Sequence, residues 1–167
     1  MTKFGGYMGK VLVIDVRNRI TSLYPWSDAE REAYLGGKIM AAKIIRDNVP
    51  PNVGAFDEEN IIVISTGPLT GTNAPASSRF NISTISPLTG ILTSSNCGGD
   101  FGLHLKRAGY DALIIKNKSD TPVWIEINED KVLFHDAKDL WGKRVSETQA
   151  TLDSKAGKVV IGPAGEN

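Results

Sequence analysis

The chain has 167 residues, of which 23% are charged and 41% are hydrophobic, as is typical of one globular domain with a buried core. Its 19 basic and 19 acidic residues give a formal net charge of zero, which argues against a general nucleic-acid or membrane-binding surface. We find no apolar run of spanning length and no apolar leader, so we predict neither a membrane span nor a signal peptide. The single cysteine excludes an internal disulfide and indicates a reducing compartment, the cytoplasm.

The first third of the chain predicts a β-hairpin followed by an interrupted helix. Ser27 opens the sequence SDAE, in which the serine and Glu30 can form a capping box at the start of a helix. We expect Gly36 and Gly37 to interrupt this helix and the prolines at 50 and 51 to end it. The predicted hairpin strands are 10–16 and 20–24, and the helix is expected to resume through 40–46.

The rest of the chain predicts mostly strands, from apolar or alternating runs bounded by turn residues. These runs are 60–65, 79–85, 91–95, 112–116, 123–128, 131–135 and 159–162. Two further helices are expected, at 101–108 and from Ser146, which opens a second capping box, to about Lys155. Because the order lacks regular β–α alternation, we predict an α+β fold rather than a Rossmann fold. It would be a β-rich single domain with mainly antiparallel sheets and about three short helices.

The tetrapeptide Pro-Leu-Thr-Gly occurs twice, at 68–71 and 87–90. We interpret the two copies as similar turns at adjacent strand ends, because they are too short to establish a structural repeat. Each copy is followed by many small and hydroxylated residues. Glycines let a backbone approach a ligand closely, and successive N–H groups can bind an anion.

Two side chains give these loops, 66–79 and 93–102, a possible chemistry. The guanidinium of Arg79 suits bidentate binding of a phosphate, and Asn96 offers a neutral oxygen of the kind that Mg²⁺ prefers. The sequence contains neither a Walker motif nor GxGxxG. From spacing alone, two tight loops without a ligand are an equal alternative.

A longer pattern resembles a known family. The segments that carry it, in chain order, are YMGKVLVIDV, YLGGKIMAAKII, ENIIVISTGPLTGTNAPASSRFNI, SPLTGILTSSNCGGDFGLHLKRAGYDALII, LWGKRVSETQ and IGPAGEN. Together they resemble the N-terminal domain of the tungsten-containing aldehyde ferredoxin oxidoreductase family over essentially the whole chain. The string from TGPLTGT through N-x-GG-x-FG to AGYDA is highly specific. The resemblance implies that the chain, 1–167, is an incomplete pterin-cofactor-binding domain.

The resemblance also implies an activity. Enzymes of this family oxidise aldehydes to carboxylic acids at tungsten, or sometimes molybdenum, held by two pyranopterins, and electrons leave through a [4Fe–4S] cluster to ferredoxin. One cysteine cannot supply the four thiolates of such a cluster, so this chain would not ligate it. We therefore expect the domain to work with the remainder of an oxidoreductase chain or with a partner subunit.

Five site residues follow from the resemblance. Arg79 would touch the cofactor, and Asn96 would help to hold the Mg²⁺ that bridges the two pterin phosphates. Gly98 and Phe101 would line the same site. Lys38 stands where many family members carry arginine, so it keeps the charge but loses the planar fork. Cys97 stands where serine is common, and we interpret it as a small residue near the loop rather than a metal ligand.

The chain ends at Asn167 without the cluster cysteines, so we expect it to have no aldehyde-oxidising activity in isolation. One alternative is a free-standing, non-catalytic module that keeps the fold without cofactor or turnover. A weaker one is a domain for another phosphorylated ligand. We also expect a homodimer or larger oligomer, formed through the two loops, the strand at 159–162 and apolar residues such as Leu69 and Leu88. Neither nucleic acid nor membrane is an expected partner.

Overall fold

In the computed structural model, which describes residues 2–166, eight strands form a six-stranded and a two-stranded sheet. The strands are β1 Val11–Asp15, β2 Ile20–Leu23, β3 Ile61–Thr66, β4 Phe80–Ile85, β5 Leu92–Cys97, β6 Ala112–Lys116, β7 Val123–Asn128 and β8 Lys131–Asp136. The helices are α1 Asp28–Tyr34, α2 Gly37–Asn48, α3 Phe101–Arg107, α4 Val145–Thr151 and α5 Pro163–Glu166. The α+β prediction is therefore confirmed, although α1 and α2 are separate helices and the one-turn α5 was not predicted.

The large sheet has the strand order β2-β1-β6-β3-β4-β5, and β7 and β8 form a separate hairpin. Every neighbouring pair of strands is antiparallel except β1 and β6, which are parallel. Because β2 and β5 are the two edges of the large sheet, each leaves one row of backbone groups unpaired within it.

Strand alternation divides the core between the two faces of the large sheet. On the helix face, the side of the sheet that packs against α2, Ile44 of α2 is fully buried in a cluster with Val11, Val63 and Ile114. On the hairpin face, the opposite side, Leu105 of α3 joins a cluster against which the inner residues of β7 and β8 pack. Since both faces are covered, the central strands β1, β3 and β6 are the most buried, as their apolar runs predict.

Two of the predicted boundaries have clear local causes. The Ser27 side chain accepts a hydrogen bond from the Glu30 N–H at 3.2 Å, and the Glu30 carboxylate accepts from the Ser27 N–H at 2.7 Å. This is the predicted capping box, and it begins α1. The helix ends at Leu35, which has a positive φ of 52°, and α2 starts again at Gly37. The interruption at the two glycines is therefore confirmed.

Other boundaries were wrong. Residues 159–162 form no strand, because no neighbouring strand pairs with them in the described part of the chain. Helix α4 starts at Val145 rather than Ser146, because the Glu147 carboxylate accepts from the Arg144 N–H, and it ends at Thr151. Strand β5 continues to Cys97, two residues beyond its predicted end.

The two Pro-Leu-Thr-Gly copies also do not lie at adjacent strand ends. The first follows β3, and the second is the turn between β4 and β5, where the Gly90 N–H donates to the Ser86 carbonyl at 2.8 Å. Since β3 and β4 are antiparallel, the copies lie at opposite ends of β4.

Candidate functional site

A row of polar side chains crosses the helix face near the β5 edge. The strand register aligns Ser65 of β3 with Asn81 of β4, and Asn81 with Asn96 of β5. The Asn81 Nδ2 donates to the Asn96 Oδ1 at 3.1 Å, while the Ser65 Oγ donates to the carbonyl of Gly37 at 2.9 Å. The row, Ser65–Asn81–Asn96, therefore runs from the start of α2 to the open edge of the sheet.

Arg79 and Gly98 lie beyond the strand ends, next to this row. Arg79 directly precedes Phe80, and Gly98 directly follows Cys97, the register partner of Phe80, so both lie just beyond the polar row at the same end of the β4–β5 ladder. The Arg79 side chain is exposed, and within residues 2–166 it has no hydrogen-bond or ion-pair partner. The structure therefore brings Arg79, Asn96 and Gly98 to one corner of the sheet with the guanidinium free.

The loop that carries Arg79 is closed at its base by Thr70. The Thr70 Oγ1 donates to the Arg79 carbonyl at 3.0 Å and accepts from the Gly67 N–H at 3.3 Å, and the residue is only 4% exposed. The Ser78 Oγ then donates to the Gly99 carbonyl at 3.0 Å, which joins this loop to the one after β5. The two glycine-rich loops are therefore neighbours.

Lys38 reaches the same side of the sheet through a close backbone approach. A Cβ on Gly36 would lie 2.6 Å from the Thr66 carbonyl oxygen, so only glycine allows the α1–α2 junction to pack against the end of β3. Lys38 follows Gly37, whose carbonyl binds Ser65 of the polar row. Its side chain is exposed and, like that of Arg79, has no partner in the described part of the chain.

Phe101 is the predicted site residue that the structure does not bring to this face. Its ring lies 5.0 Å from the ring of Phe80, centroid to centroid. Phe80 belongs to the cluster on the hairpin face, so Phe101 supports the corner from the side opposite to Asn96. Cys97, the register partner of Phe80, is exposed at the end of β5 rather than in the loop.

The main chain of Asn96 faces the open edge. The Ser86 N–H donates to the Ile91 carbonyl at 2.9 Å, which identifies the hydrogen-bonded pairs of the β4–β5 ladder. Such pairs alternate with non-bonded ones, and the pair of Asn81 and Asn96 is non-bonded. The Asn96 carbonyl and N–H therefore point away from β4. All six residues of β5 are exposed, so these groups are accessible.

The donor set suits a phosphorylated ligand that carries its own negative charge. Arg79 and Lys38 can bind anionic oxygens, and Asn96 supplies neutral oxygens for a hard cation. Among the described residues there is no group of three or more His, Cys, Asp or Glu side chains that could hold a metal. A cation at this corner would therefore take its anionic ligands from the bound molecule, as Mg²⁺ between two phosphates does. The residues present thus fit the implied cofactor.

A buried ion pair lies near the same loop, and no sequence motif indicated it. The Lys106 Nζ lies 2.6 Å from the Asp111 Oδ1 and also donates to the Gly6 carbonyl at 2.8 Å. The Asp111 carboxylate accepts from the N–H groups of Met8 and Gly9 as well. The pair therefore fixes the N-terminal segment against α3. Its only sequence signal is a lysine five residues before an aspartate across a helix end.

Fold and site together define a β-rich domain with a polar corner, flanked by two cations that have no partner among residues 2–166. The chain belongs to the aldehyde ferredoxin oxidoreductase family, because residues 11–167 match the profile of the aldehyde ferredoxin oxidoreductase N-terminal domain. The family predicted from the sequence is therefore confirmed. The roles of individual site residues remain predictions.

The relatives are much longer than this chain. The tungsten-containing aldehyde ferredoxin oxidoreductase of Pyrococcus furiosus is 38% identical over 97% of this chain and 28% of its own length. An aliphatic sulfonate oxidoreductase, WOR-like subunit, from the same organism is 32% identical over 87% of this chain and 24% of its own length. The chain spans about a quarter of the length of these relatives.

A solved structure shows the same fold. It is the active site complex BamBC of benzoyl coenzyme A reductase in complex with 1,5-dienoyl-CoA, which is similar with a TM-score of 0.85 and 38% sequence identity. The similarity covers 88% of this chain and 22% of that one.

Within residues 2–166, no helix is both long enough and apolar enough to cross a membrane.

Proposed function

We propose that this domain forms one side of the binding surface for a tungsten or molybdenum bis-pyranopterin, in an oxidoreductase that oxidises aldehydes to carboxylic acids. The observation that carries the proposal is the corner where two unpaired cations, Arg79 and Lys38, flank the polar row that ends at Asn96. A flat ligand with two phosphates and a bridging Mg²⁺ needs this combination of positive charge, neutral oxygen and accessible backbone.

Each residue would act through a different property. Arg79 would bind two phosphate oxygens with its planar guanidinium, and Lys38 would add a point charge. Asn96 would offer a neutral oxygen to Mg²⁺. Gly98 would admit the ligand, since no described atom beyond its two chain neighbours lies within 4 Å of the place where a Cβ would be. Phe101 would support the corner through Phe80 rather than contact the ligand.

The bound cofactor would supply the redox chemistry, and this domain would supply binding and orientation. The single cysteine means that a [4Fe–4S] cluster passing electrons to ferredoxin would be held by the remainder of the oxidoreductase or by a partner subunit. We propose a cytoplasmic enzyme. We also propose a homo-oligomer formed through the exposed loops at the two ends of β4, in which Leu69 and Leu88 are 60% and 92% exposed.

Sequence identity also favours a second reaction. The benzoyl coenzyme A reductase complex is as similar in sequence to this chain, at 38%, as the aldehyde oxidoreductase of P. furiosus. Reduction of an aromatic acyl-CoA is therefore the second candidate activity. Assays of the complete oxidoreductase with aldehydes and an oxidised viologen, and with benzoyl-CoA and a reduced one, would separate the two.

The cofactor role is tested in the complete oxidoreductase that carries this chain, with Arg79→Ala, Asn96→Ala and the control Arg107→Ala. Arg107 is an exposed arginine on α3 that has no partner among the described residues. We expect at least a tenfold loss of bound tungsten or molybdenum, measured by elemental mass spectrometry, and of pterin fluorescence in the first two variants only. Full metal content in both would contradict the proposal. A wild-type protein without metal would instead support the non-catalytic module.

A further inference from the structure

We infer that Asn81 is a positioning residue that holds Asn96 in place for the phosphate-bridging cation. The inference rests on the proposed function, in which Asn96 serves the cofactor, and it assigns a role to a residue that no sequence motif indicated. Asn81 is buried, with only 2% of its surface exposed, whereas its partner Asn96 is exposed at the sheet edge. Asn81 is therefore placed to act on the ligand only through another residue.

The Asn81 carboxamide is held by three polar neighbours that fix its orientation. Its Oδ1 accepts from the Ser83 Oγ at 2.7 Å and from the Ser94 Oγ at 2.9 Å. With two hydroxyl donors on that oxygen, the Nδ2 is turned towards Asn96, to whose Oδ1 it donates at 3.1 Å. In a reversed amide the serine hydroxyls could still accept from Nδ2, but the Asn81 Oδ1 would face the Oδ1 of Asn96, and two acceptors cannot bond to each other.

The bond restrains Asn96 where the backbone ladder does not. Asn81 and Asn96 form a non-hydrogen-bonded pair, so no main-chain bond joins these two residues, and the outer edge of β5 is unpaired in the large sheet. The side-chain bond is the direct tie between Asn96 and β4. It orients the carboxamide of Asn96, as groups behind a metal ligand commonly do.

Asn60 offers a matched control at the far end of β4. Its Nδ2 donates to the Thr84 Oγ1 at 3.0 Å and to the Ala55 carbonyl at 2.8 Å. Its Oδ1 accepts from the Ile61 N–H at 2.9 Å. Asn60→Leu therefore removes an amide with a similar number of hydrogen bonds from the opposite end of β4, away from the corner.

The test uses the complete oxidoreductase loaded with cofactor and challenged with EDTA. For Asn81→Leu, Asn60→Leu and Asn96→Ala, the rates at which magnesium and tungsten are lost are measured by elemental analysis, together with the midpoint of thermal unfolding. We expect Asn81→Leu to lose magnesium at least tenfold faster than wild type. Asn60→Leu should lower the unfolding temperature about as much as Asn81→Leu does, but it should lose magnesium at the wild-type rate.

The serine pair gives an intermediate test. The double variant Ser83→Ala/Ser94→Ala leaves the Asn81 donor in place but removes the two hydroxyls that orient it, so we expect magnesium loss about threefold faster than wild type. A double variant that retains magnesium as wild type does would contradict the orienting role.

The outcomes separate this inference from the proposed function. If Asn96→Ala releases magnesium quickly and Asn81→Leu retains it as wild type does, the positioning role is wrong and the cofactor role stands. If Asn96→Ala itself retains magnesium and tungsten, the role proposed for the Asn96 side chain is wrong, and the positioning role, which acts through that side chain, is wrong with it. If Asn60→Leu loses magnesium as fast as Asn81→Leu, the effect is general destabilisation and the inference is overturned.

Discussion

Two cations next to the first glycine-rich loop have opposite environments. Lys106 is 4% exposed, and its ammonium is bound by the Asp111 carboxylate and the Gly6 carbonyl. Arg79 is exposed, and its guanidinium has no partner in the described residues. The loop that ends at Arg79 passes over Lys106, because a Cβ on Gly71 would lie 3.2 Å from the Lys106 Cβ. One cation therefore stabilises the loop from beneath, and the other remains available to a ligand.

The difference between Lys106 and Arg79 separates charged residues that stabilise the fold from charged residues that can bind a ligand. A buried ion pair with all its hydrogen bonds made contributes to folding only while both partners are present, since either one alone is a buried, unpaired charge. An exposed cation without a partner contributes little to stability. The two classes should therefore respond in opposite ways to substitution, with large losses of stability for the first and losses of ligand binding for the second.

The largest expected effect comes from breaking the buried pair. Asp111→Ala removes the partner of Lys106 and the acceptor of two main-chain N–H groups, so it should lower the free energy of unfolding by about 3–5 kcal/mol. Urea unfolding followed by circular dichroism would measure it. As the control, Asp130→Ala breaks the exposed pair with Lys10 and should change stability by about 0–1 kcal/mol. Equal effects of the two substitutions would contradict the distinction.

A second test uses the way in which stability depends on pH through Asp15, another buried carboxylate. Hydrogen bonds from the side chain of Asn117 and from the N–H of Asn18 hold the pKa of Asp15 well below its usual range. A depressed pKa in the folded state stabilises the fold above the unfolded pKa of about 4, and this contribution is lost as the pH falls towards the folded pKa.

The isosteric variant Asp15→Asn should therefore be less stable than wild type at pH 7, and the difference should shrink below pH 4. Thermal unfolding of both proteins between pH 2 and pH 8 measures this. A difference that stays constant over that range would show that Asp15 does not contribute through its charge.

The two Pro-Leu-Thr-Gly copies provide a smaller comparison within one sequence motif. Thr70 is buried and joins the two ends of its loop, whereas Thr89 lies in an exposed turn, where only its N–H contacts the Ser86 Oγ. Thr70→Val keeps the shape of the side chain but leaves the Arg79 carbonyl without its hydroxyl donor. It should destabilise the domain by about 1–2 kcal/mol.

Thr89→Val is the matched control and should change the free energy of unfolding by less than about 0.5 kcal/mol. The same denaturant titration measures both variants. If the two threonines had equal effects, the first copy would be a simple turn like the second, and the closure of the Arg79 loop by Thr70 would have no energetic importance.

Local signals in the sequence predicted the local parts of the fold. The capping box at Ser27, the break at Gly36 and Gly37 and most of the strands follow from hydrogen bonds and periodicities within a few residues. The parallel pairing of β1 with β6 and the Lys106–Asp111 pair with its bonds to Gly6, Met8 and Gly9 join segments about 100 residues apart. No local pattern specifies such contacts.

The candidate site was predictable in part for the same reason. Arg79 and Asn96 were identified by residue type and by the family resemblance, and the β4–β5 register places them near each other. Asn81 was missed because its importance depends on which residue lies across the strand, and the sequence does not show this. The apolar run at 159–162 was taken for a strand because a sequence does not show whether a partner edge is available.

The smallest expected effect on stability belongs to Arg79, and it completes the comparison with Lys106. Since the Arg79 side chain is exposed and has no partner in the described part of the chain, Arg79→Ala should change the free energy of unfolding by less than about 0.5 kcal/mol. Binding of phosphate or pyrophosphate, measured by calorimetry on the cofactor-free protein, should weaken more than for Lys38→Ala, because a guanidinium binds two oxygens at once. Arg79→Lys should fall between wild type and Arg79→Ala. If Arg79→Ala instead unfolded the domain, Arg79 would belong with Lys106 as part of the fold. If the variant bound phosphate like wild type, Arg79 would not be the principal anion-binding group of the corner.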